Sequence, residues 1–320
     1  KRGRDTALDK LSTKLGQLTF FDPACGCGNF LIIAYRELRR LEIDLLKARF
    51  PKGTTMQLDA RSLSNIDVDQ FYGIEIGEFA AKIAETAMWM MDHIMNNELS
   101  LAFGETYARI PLDKAATVVC GDALEVDWET VLPAQDCDYV FGNPPFIGQS
   151  YQSKSQRVQM AKVIDAKNGK AGSLDYVGAW FLKAGAYINA GGTTPAHIAF
   201  VSTNSITQGE QVAQLWPLLF QRYQLEIAFA HRTFEWGSDA RGKAHVHVVI
   251  VGFSESEAQN GKRIHDYGSK GEVLGVATVA NISPYLTDGP DCAATNRGKP
   301  LAEVPEIGIG NKPIDGGYYL

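Results

Sequence analysis

The sequence predicts an α/β fold: a mostly parallel sheet of seven strands, ending in an antiparallel strand, with helices on both faces. Three observations carry this. Short apolar runs of strand length alternate with segments whose apolar residues recur every three or four positions. Turns rich in glycine or proline follow several of those runs at once. Near residue 250, two runs succeed each other with no helix between them, the pattern of an antiparallel pair.

The elements follow in order. Leu18 to Phe21 reads as a short buried strand, and Leu31, Ala34, Leu38, Leu41 and Leu45 mark the inner face of a helix after it. Pro51 to Asp69 is polar and reads as a loop. Phe71 to Ile76 is the second strand; Phe79, Ile83, Ala87, Met90 and Ile94 trace the next helix face, with Met88, Met90, Met91 and Met95 as core filling. Thr117 to Cys120 and Asp138 to Phe141 are two further strands. Leu174 to Ala190 is a helix stopped by Gly191-Gly192. Then come a strand at His197 to Ser202, a helix at Glu210 to Arg222, and strands at Leu225 to Ala230 and His245 to Phe253. Past Ser254 the pattern weakens into Gly, Pro and Asn. In such sheets ligands bind at the carboxyl ends of the strands.

Composition sets bounds. The 320 residues, 45% apolar and 21% charged, exclude disorder and a disulfide-stapled miniprotein. The longest apolar-leaning stretch, Ala80 to Met95, is broken by Lys82, Glu85 and Asp92, so no membrane span is expected. Lys1 to Leu15 is too polar for a signal peptide. Five cysteines, an odd number, suit a reducing cytoplasm. A net charge of −6 does not announce a nucleic-acid binder. Yet Ser150 to Ser173 holds Lys154, Arg157, Lys162, Lys167 and Lys170 against Asp165 alone, the pattern of a polyanion-facing loop or of a solvated helix face.

Four strand tips carry the chemistry. The first ends in Asp22-Pro23-Ala24-Cys25-Gly26-Cys27-Gly28-Asn29-Phe30 and runs straight into a helix. Gly26 and Gly28 leave room for a tight turn and a close ligand, but the third glycine of a pyrophosphate fingerprint would fall at Leu31, so dinucleotides are disfavoured. Asp22 suits a ligand bearing an ammonium group. One Cys-x-Cys without a second pair is poor zinc spacing, and no metal is expected. The second tip, Gly73-Ile74-Glu75-Ile76, offers a carboxylate to ribose hydroxyls, although Glu75 lies 47 positions past Gly28 where about 20 is usual. The third, Cys120-Gly121-Asp122-Ala123, places a carboxylate where it can accept from an adenine amino group. A nucleoside cofactor without phosphates follows, and S-adenosylmethionine fits.

The fourth tip, Asn143-Pro144-Pro145-Phe146, is the sharpest signal. Two prolines stop the strand and hold Asn143 extended. The Asn143 side-chain oxygen and the Pro144 carbonyl then make two fixed acceptors for a planar, conjugated amine. Accepting its hydrogens favours a pyramidal nitrogen whose lone pair can attack a sulfonium methyl. Phe146 supplies a face for stacking the ring.

These two motifs, in this order, resemble those of the γ-type amino-methyltransferases that methylate adenine N6 in DNA. Ala34-Tyr35-Arg36-Glu37-Leu38-Arg39, Ser202-Thr203-Asn204-Ser205-Ile206, Gly209-Glu210-Gln211, Ala240-Arg241-Gly242-Lys243-Ala244 and Gly310-Asn311-Lys312-Pro313 resemble stretches of the MmeI-like (type IIL) restriction–modification enzymes. The resemblance implies a Rossmann-like class I S-adenosylmethionine-dependent methyltransferase over residues 18–254. Residues 1–17 would be the remnant of an upstream region, and residues 255–320 a linker to a target recognition domain. It assigns Asp22, Gly26 and Gly28 to the methionine end of the cofactor, Glu75 to the ribose and Asp122 with Ala123 to the adenine, and it counts Pro23, Ala24, Asn29, Phe30, Ile76 and Asn143 among the cofactor-binding residues. Trp180 would lie against that adenine. Asn143 to Phe146 would hold the target base, with Phe234 or Trp236 on its other side and the five basic residues from Lys154 to Lys170 on the DNA backbone. Partners would be double-stranded DNA, through the complete enzyme, and nuclease and target recognition modules of the same parent chain. Two rivals stay open: a protein-glutamine or RNA-guanine methyltransferase, which presents the same Asn-Pro-Pro-aromatic turn, and a non-catalytic scaffold of the same fold.

Overall fold

The computed structural model describes residues 2–50, 64–103, 114–165, 172–191, 196–236, 246–255, 261–268 and 271–294. The buried run at Phe20–Asp22 forms β1 and pairs in parallel with β2 (Phe71–Glu75) on one side and β4 (Tyr139–Gly142) on the other. With β3 (Thr117–Cys120), β5 (His197–Thr203), β6 (Leu225–Trp236), β7 (Val246–Glu255), β8 (Lys262–Tyr267) and β9 (Val273–Val279), they make one sheet in the order β3-β2-β1-β4-β5-β7-β6-β8-β9. β1 to β5 run parallel, and β7 sits antiparallel between β5 and β6. The ends of β1, β2, β3, β4 and β6 therefore share one edge.

Seven of these strands are the ones the sequence predicts, in a Rossmann-like, mostly parallel arrangement. The sheet goes further. Lys262–Tyr267 and Val273–Val279, in the stretch expected as linker, form β8 and β9, with β8 parallel to β6. Gly261 and Gly271 take positive φ at the entries to those strands, which explains why glycine there reads as loop. The helix expected from Leu174 begins at Gly178, and Pro217 closes the one after β5, whose continuation to Arg222 is a π-turn.

Helices α2 (Asn29–Arg49) and α3 (Glu78–Phe103) cover β1 to β3 on one face, and α5 (Gly178–Ala190) and α6 (Gly209–Pro217) cover the other. α1 (Arg2–Leu15) packs on α2 and buries Leu15. The inner faces of α2 and α3 are rotated from those the apolar spacing suggests. α3 buries Ala81, Ala84, Met88, Met95 and Leu99 but exposes Phe79, Met90 and Ile94; α2 buries Leu31, Tyr35 and Leu46 and exposes Leu41. The reason is a buried polar clip. Arg39, 2% exposed, bonds the Tyr35 hydroxyl, the Ile66 carbonyl and Asn96, and ion-pairs with Glu42 and Asp92. Charged residues that sequence patterning assigns to solvent thus fasten the two helices together.

Candidate active site

The turn after β1 is built by backbone geometry. Gly28 lies at φ 84° as the N-cap of α2, and a Cβ on it would press to 3.1 Å on Ala84 of α3. Asp22 closes β1 with 1% exposure, and its Oδ1 accepts from the Ala24 amide at 3.0 Å. Gly142, at the end of β4, leaves room for that carboxylate, which any Cβ there would strike. Burial pushes the Asp22 carboxyl up to about 7; the Ala24 bond offsets part of this, and the neighbouring Glu75 charge adds to it. Burial likewise raises the Cys25 thiol, which stays a packing group.

Glu75 ends β2 and joins two tips. Its Oε2 accepts from the Gly26 amide at 3.0 Å and its Oε1 from the Gly77 amide at 2.8 Å. Asp122, past β3, accepts from the Leu124 amide on Oδ1 at 2.9 Å and from Gln159 Nε2 on Oδ2 at 2.8 Å. Trp180, on α5, donates from Nε1 to the Pro23 carbonyl at 3.1 Å and meets Tyr176 edge to face at 5.3 Å.

These groups surround a cavity of about 560 Å³. Of the sequence-predicted residues, Pro23, Ala24, Glu75, Ile76, Asp122, Ala123, Asn143, Pro145 and Trp180 line it. Gly26, Gly28, Asn29 and Phe30 form the turn and first residues of α2 behind it. Asp22 lies buried beneath, and Phe146 packs partly buried against the main core. The Asn143 Oδ1 is buried and, among the described residues, has no hydrogen-bond partner. A buried polar oxygen without a partner costs roughly 1–3 kcal/mol, so this atom is set for a donor that the protein itself does not supply.

Phe234 and Trp236 are not among the cavity-lining residues. They end β6 on the edge that β4 also reaches, with ring centroids 6.2 Å apart, and Phe234 lies 4.8 Å from Tyr267 of β8. The basic segment is largely a helix, α4 (Lys154–Ile164), started by a capping box between Ser153 and Gln156. Lys154 and Arg157 are exposed on it, Arg157 donating to the Gln149 carbonyl, while Lys162 pairs with Glu125 at 3.3 Å. Lys167 and Lys170 lie outside the described residues. Sequence reasoning missed the other side of α4: Ser155, Gln156 and Gln159 line the cavity, as do Ser153 and Tyr176. The Ser-x-x-Gln cap was the legible signal for this helix. Among the described residues no three His, Cys, Asp or Glu side chains converge on a metal position, and no helix is long and apolar enough to cross a membrane.

A second concavity of similar size opens against Phe20, Tyr139, Phe141 and Phe229, on the sheet face that α2 covers only in part, and no carboxylate lines it. The edge cavity combines acidic strand tips, an aromatic wall and an unpaired amide oxygen.

Comparison with known proteins gives a consistent result. The family profile described as the MmeI DNA-methyltransferase domain matches residues 1–266. DNA methyltransferase A of Bacillus subtilis (strain 168) is 42% identical over 319 residues, covering 98% of this chain and 34% of the relative. The solved structure of the type IIL restriction–modification enzyme MmeI in complex with DNA superposes with a TM-score of 0.87 at 47% identity, covering 94% of this chain and 39% of that one. The DNA-bound type ISP enzyme LlaBIII, at 15% identity and a TM-score of 0.50 over 79% of this chain and 18% of its own, shares the fold. The chain thus spans about a third to two fifths of the length of the relatives it matches at high identity.

Proposed function

The chain belongs to the family of MmeI DNA-methyltransferase domains, and from that membership and the edge cavity we propose that it transfers a methyl group from S-adenosylmethionine to N6 of an adenine turned out of double-stranded DNA. The observation that carries the reading is the buried, unpartnered Oδ1 of Asn143 beside two acidic strand tips. The residues present fit the cofactor: the Glu75 and Asp122 carboxylates, suited to a ribose and an exocyclic amine, line one cavity with an aromatic wall, and Asp22, suited to an ammonium group, lies buried beneath it. When bound, the cofactor supplies an electrophilic methyl group on a sulfonium.

The chain's own residues do the rest. Asp22 counters the ammonium group. Glu75, each of whose oxygens already accepts one backbone amide, keeps lone pairs for ribose hydroxyls. Asn143 accepts a hydrogen from the target amine, which withdraws its lone pair from the ring and aims it at the methyl carbon. Turning a base out of the duplex costs a few kcal/mol, offset by stacking on Phe146 and, across the base, on Phe234 or Trp236. Lys154 and Arg157 contact phosphates, which position DNA without reading sequence. The relatives are roughly two and a half to three times as long as this chain, which supports nuclease and target recognition modules in the same parent protein and sequence choice outside this domain.

The test is Asn143→Ala in the full-length protein. It is expected to keep S-adenosylhomocysteine affinity within about twofold while reducing transfer of a tritiated methyl to DNA at least a hundredfold, roughly the loss of one preorganised transition-state hydrogen bond. Transfer at the wild-type rate refutes the role of Asn143.

A further inference from the structure

Asp122 is held at both oxygens by neutral donors. The Leu124 amide takes Oδ1 at 2.9 Å, and Gln159 Nε2, reaching across from α4, takes Oδ2 at 2.8 Å. The second hydrogen on Gln159 Nε2 goes to Glu125 Oε1 at 3.2 Å, and Gln159 Oε1 accepts from the Tyr176 hydroxyl at 2.7 Å. The direction of this chain is fixed by chemistry. Carboxylates at neutral pH only accept, so the amide must turn its NH2 toward Asp122 and Glu125. That leaves its oxygen to Tyr176, whose hydroxyl burial and the nearby Asp122 and Glu125 charges push up to about 12, so that it stays a donor.

We propose that Tyr176 and Gln159 are positioning residues that aim the Asp122 carboxylate at the exocyclic amine of the cofactor's adenine and thereby set the preference for adenine over a 6-oxo purine. All three residues line the same cavity, beside Trp180. A carboxylate oxygen has two acceptor sites. Gln159 uses one on Oδ2 and, by fixing the carboxylate plane, orients the other. Lys162 is tied to Glu125 at 3.3 Å, so the charge of Asp122 is met by the neutral amide and the Leu124 backbone. A fixed anionic acceptor attracts an amine hydrogen and repels a 6-oxo group that presents lone pairs. The inference rests on the nucleoside-cofactor reading above, and it concerns recognition rather than the methyl-transfer step.

The test is calorimetric titration of the full-length protein with S-adenosylhomocysteine and with S-inosylhomocysteine, its 6-oxo counterpart. Wild type is expected to favour the adenosyl ligand at least tenfold. Gln159→Ala should weaken the adenosyl ligand about tenfold, leave the inosyl ligand within twofold and so collapse the preference. Tyr176→Phe, which removes one oxygen from a ring that keeps its packing, should do the same at about threefold. The double variant should be no worse than Gln159→Ala, because the two residues act in series. Equal losses for both ligands, as a general packing defect would give, overturn the proposal; so does an unchanged preference in Tyr176→Phe. Failure of wild type to bind the adenosyl ligand at all would instead sink the cofactor reading on which the proposal rests.

Discussion

Asp22→Asn is the substitution whose consequences the structure specifies most fully. The carboxyl is 1% exposed, keeps one backbone donor at 3.0 Å, and sits near the Glu75 charge, conditions that push it from 3.8 to about 7. Three pH units at 1.36 kcal/mol each make the ionised carboxylate about 4 kcal/mol less favourable in the fold than in the unfolded chain. Its folded value lies above its unfolded one. Its contribution is therefore favourable below pH 3.8 and is progressively lost as pH rises toward 7. Asparagine keeps an oxygen for the Ala24 amide and cannot ionise, but its NH2 takes back some of the gain for want of an acceptor.

At pH 8 the variant should be more stable than wild type by about 1–3 kcal/mol, several degrees in melting temperature, with the gap closing near pH 4. Ligand binding should move the other way. A buried carboxyl that is part-protonated at neutral pH must ionise to meet an ammonium group. Titration of wild type with S-adenosylhomocysteine near pH 7 should then release protons, read as a dependence of the observed heat on buffer ionisation enthalpy. The variant should show no such dependence and bind at least tenfold more weakly. A stability gap that does not change with pH, or equal proton release in both proteins, refutes the reasoning.

The remaining predictions are structural and functional controls. Glu75→Gln must turn an NH2 toward either the Gly26 or the Gly77 amide, so it should lower stability by about 1–3 kcal/mol and weaken S-adenosylhomocysteine at least several-fold by calorimetry. Loss of affinity without loss of stability would show that the carboxylate does not brace the turn. Arg39→Ala leaves Glu42 and Asp92 buried without their cation and should cost about 3–5 kcal/mol by chemical denaturation, with ligand affinity unchanged in the fraction that stays folded. A cost below 1 kcal/mol would mean that the polar clip contributes little to holding α2 on α3.

The succession of the first seven strands along the chain and the acidic or Asn residues at four strand ends were legible because each rests on short-range rules: apolar runs bounded by Gly or Pro, and polar residues where those runs stop. What failed was the assignment of helix faces. Leu41, Phe79, Met90 and Ile94 satisfy helical spacing as well as the residues that are buried, and periodicity cannot tell which stripe turns inward. The answer lies in partners far apart in sequence. Arg39 meets Asp92 and Asn96 only because α2 and α3 pack, and Glu42 takes the amides of Asn65 and Ile66 from a segment that reads as plain loop. β8 and β9 escaped for a related reason. β9 is exposed along most of its length, so it lacks the apolar alternation of a buried strand.

At the site, sequence identified the acidic tips but not which of their oxygens were already engaged, and that determines what each can do. Glu75 illustrates the difference. Read from spacing, it is a ribose acceptor separated from Gly28 by an awkward 47 positions. In the fold both its oxygens hold backbone amides, one in the glycine turn of β1 and one past its own strand. The long separation therefore carries no penalty: the turn and the carboxylate are joined directly across the sheet edge, whatever the length of chain between them. On the proposed cofactor reading, a ribose hydroxyl would make a second bond on either oxygen rather than a first. The acceptor is then preorganised before any ligand arrives, and the entropy of fixing a free carboxylate is met in folding rather than in binding. Asp122 repeats the design with Leu124 and Gln159, and Asn143 departs from it. Of the three, only the Asn143 oxygen is buried and left open, which is the arrangement the proposed role requires of a group that accepts a hydrogen while a base is present.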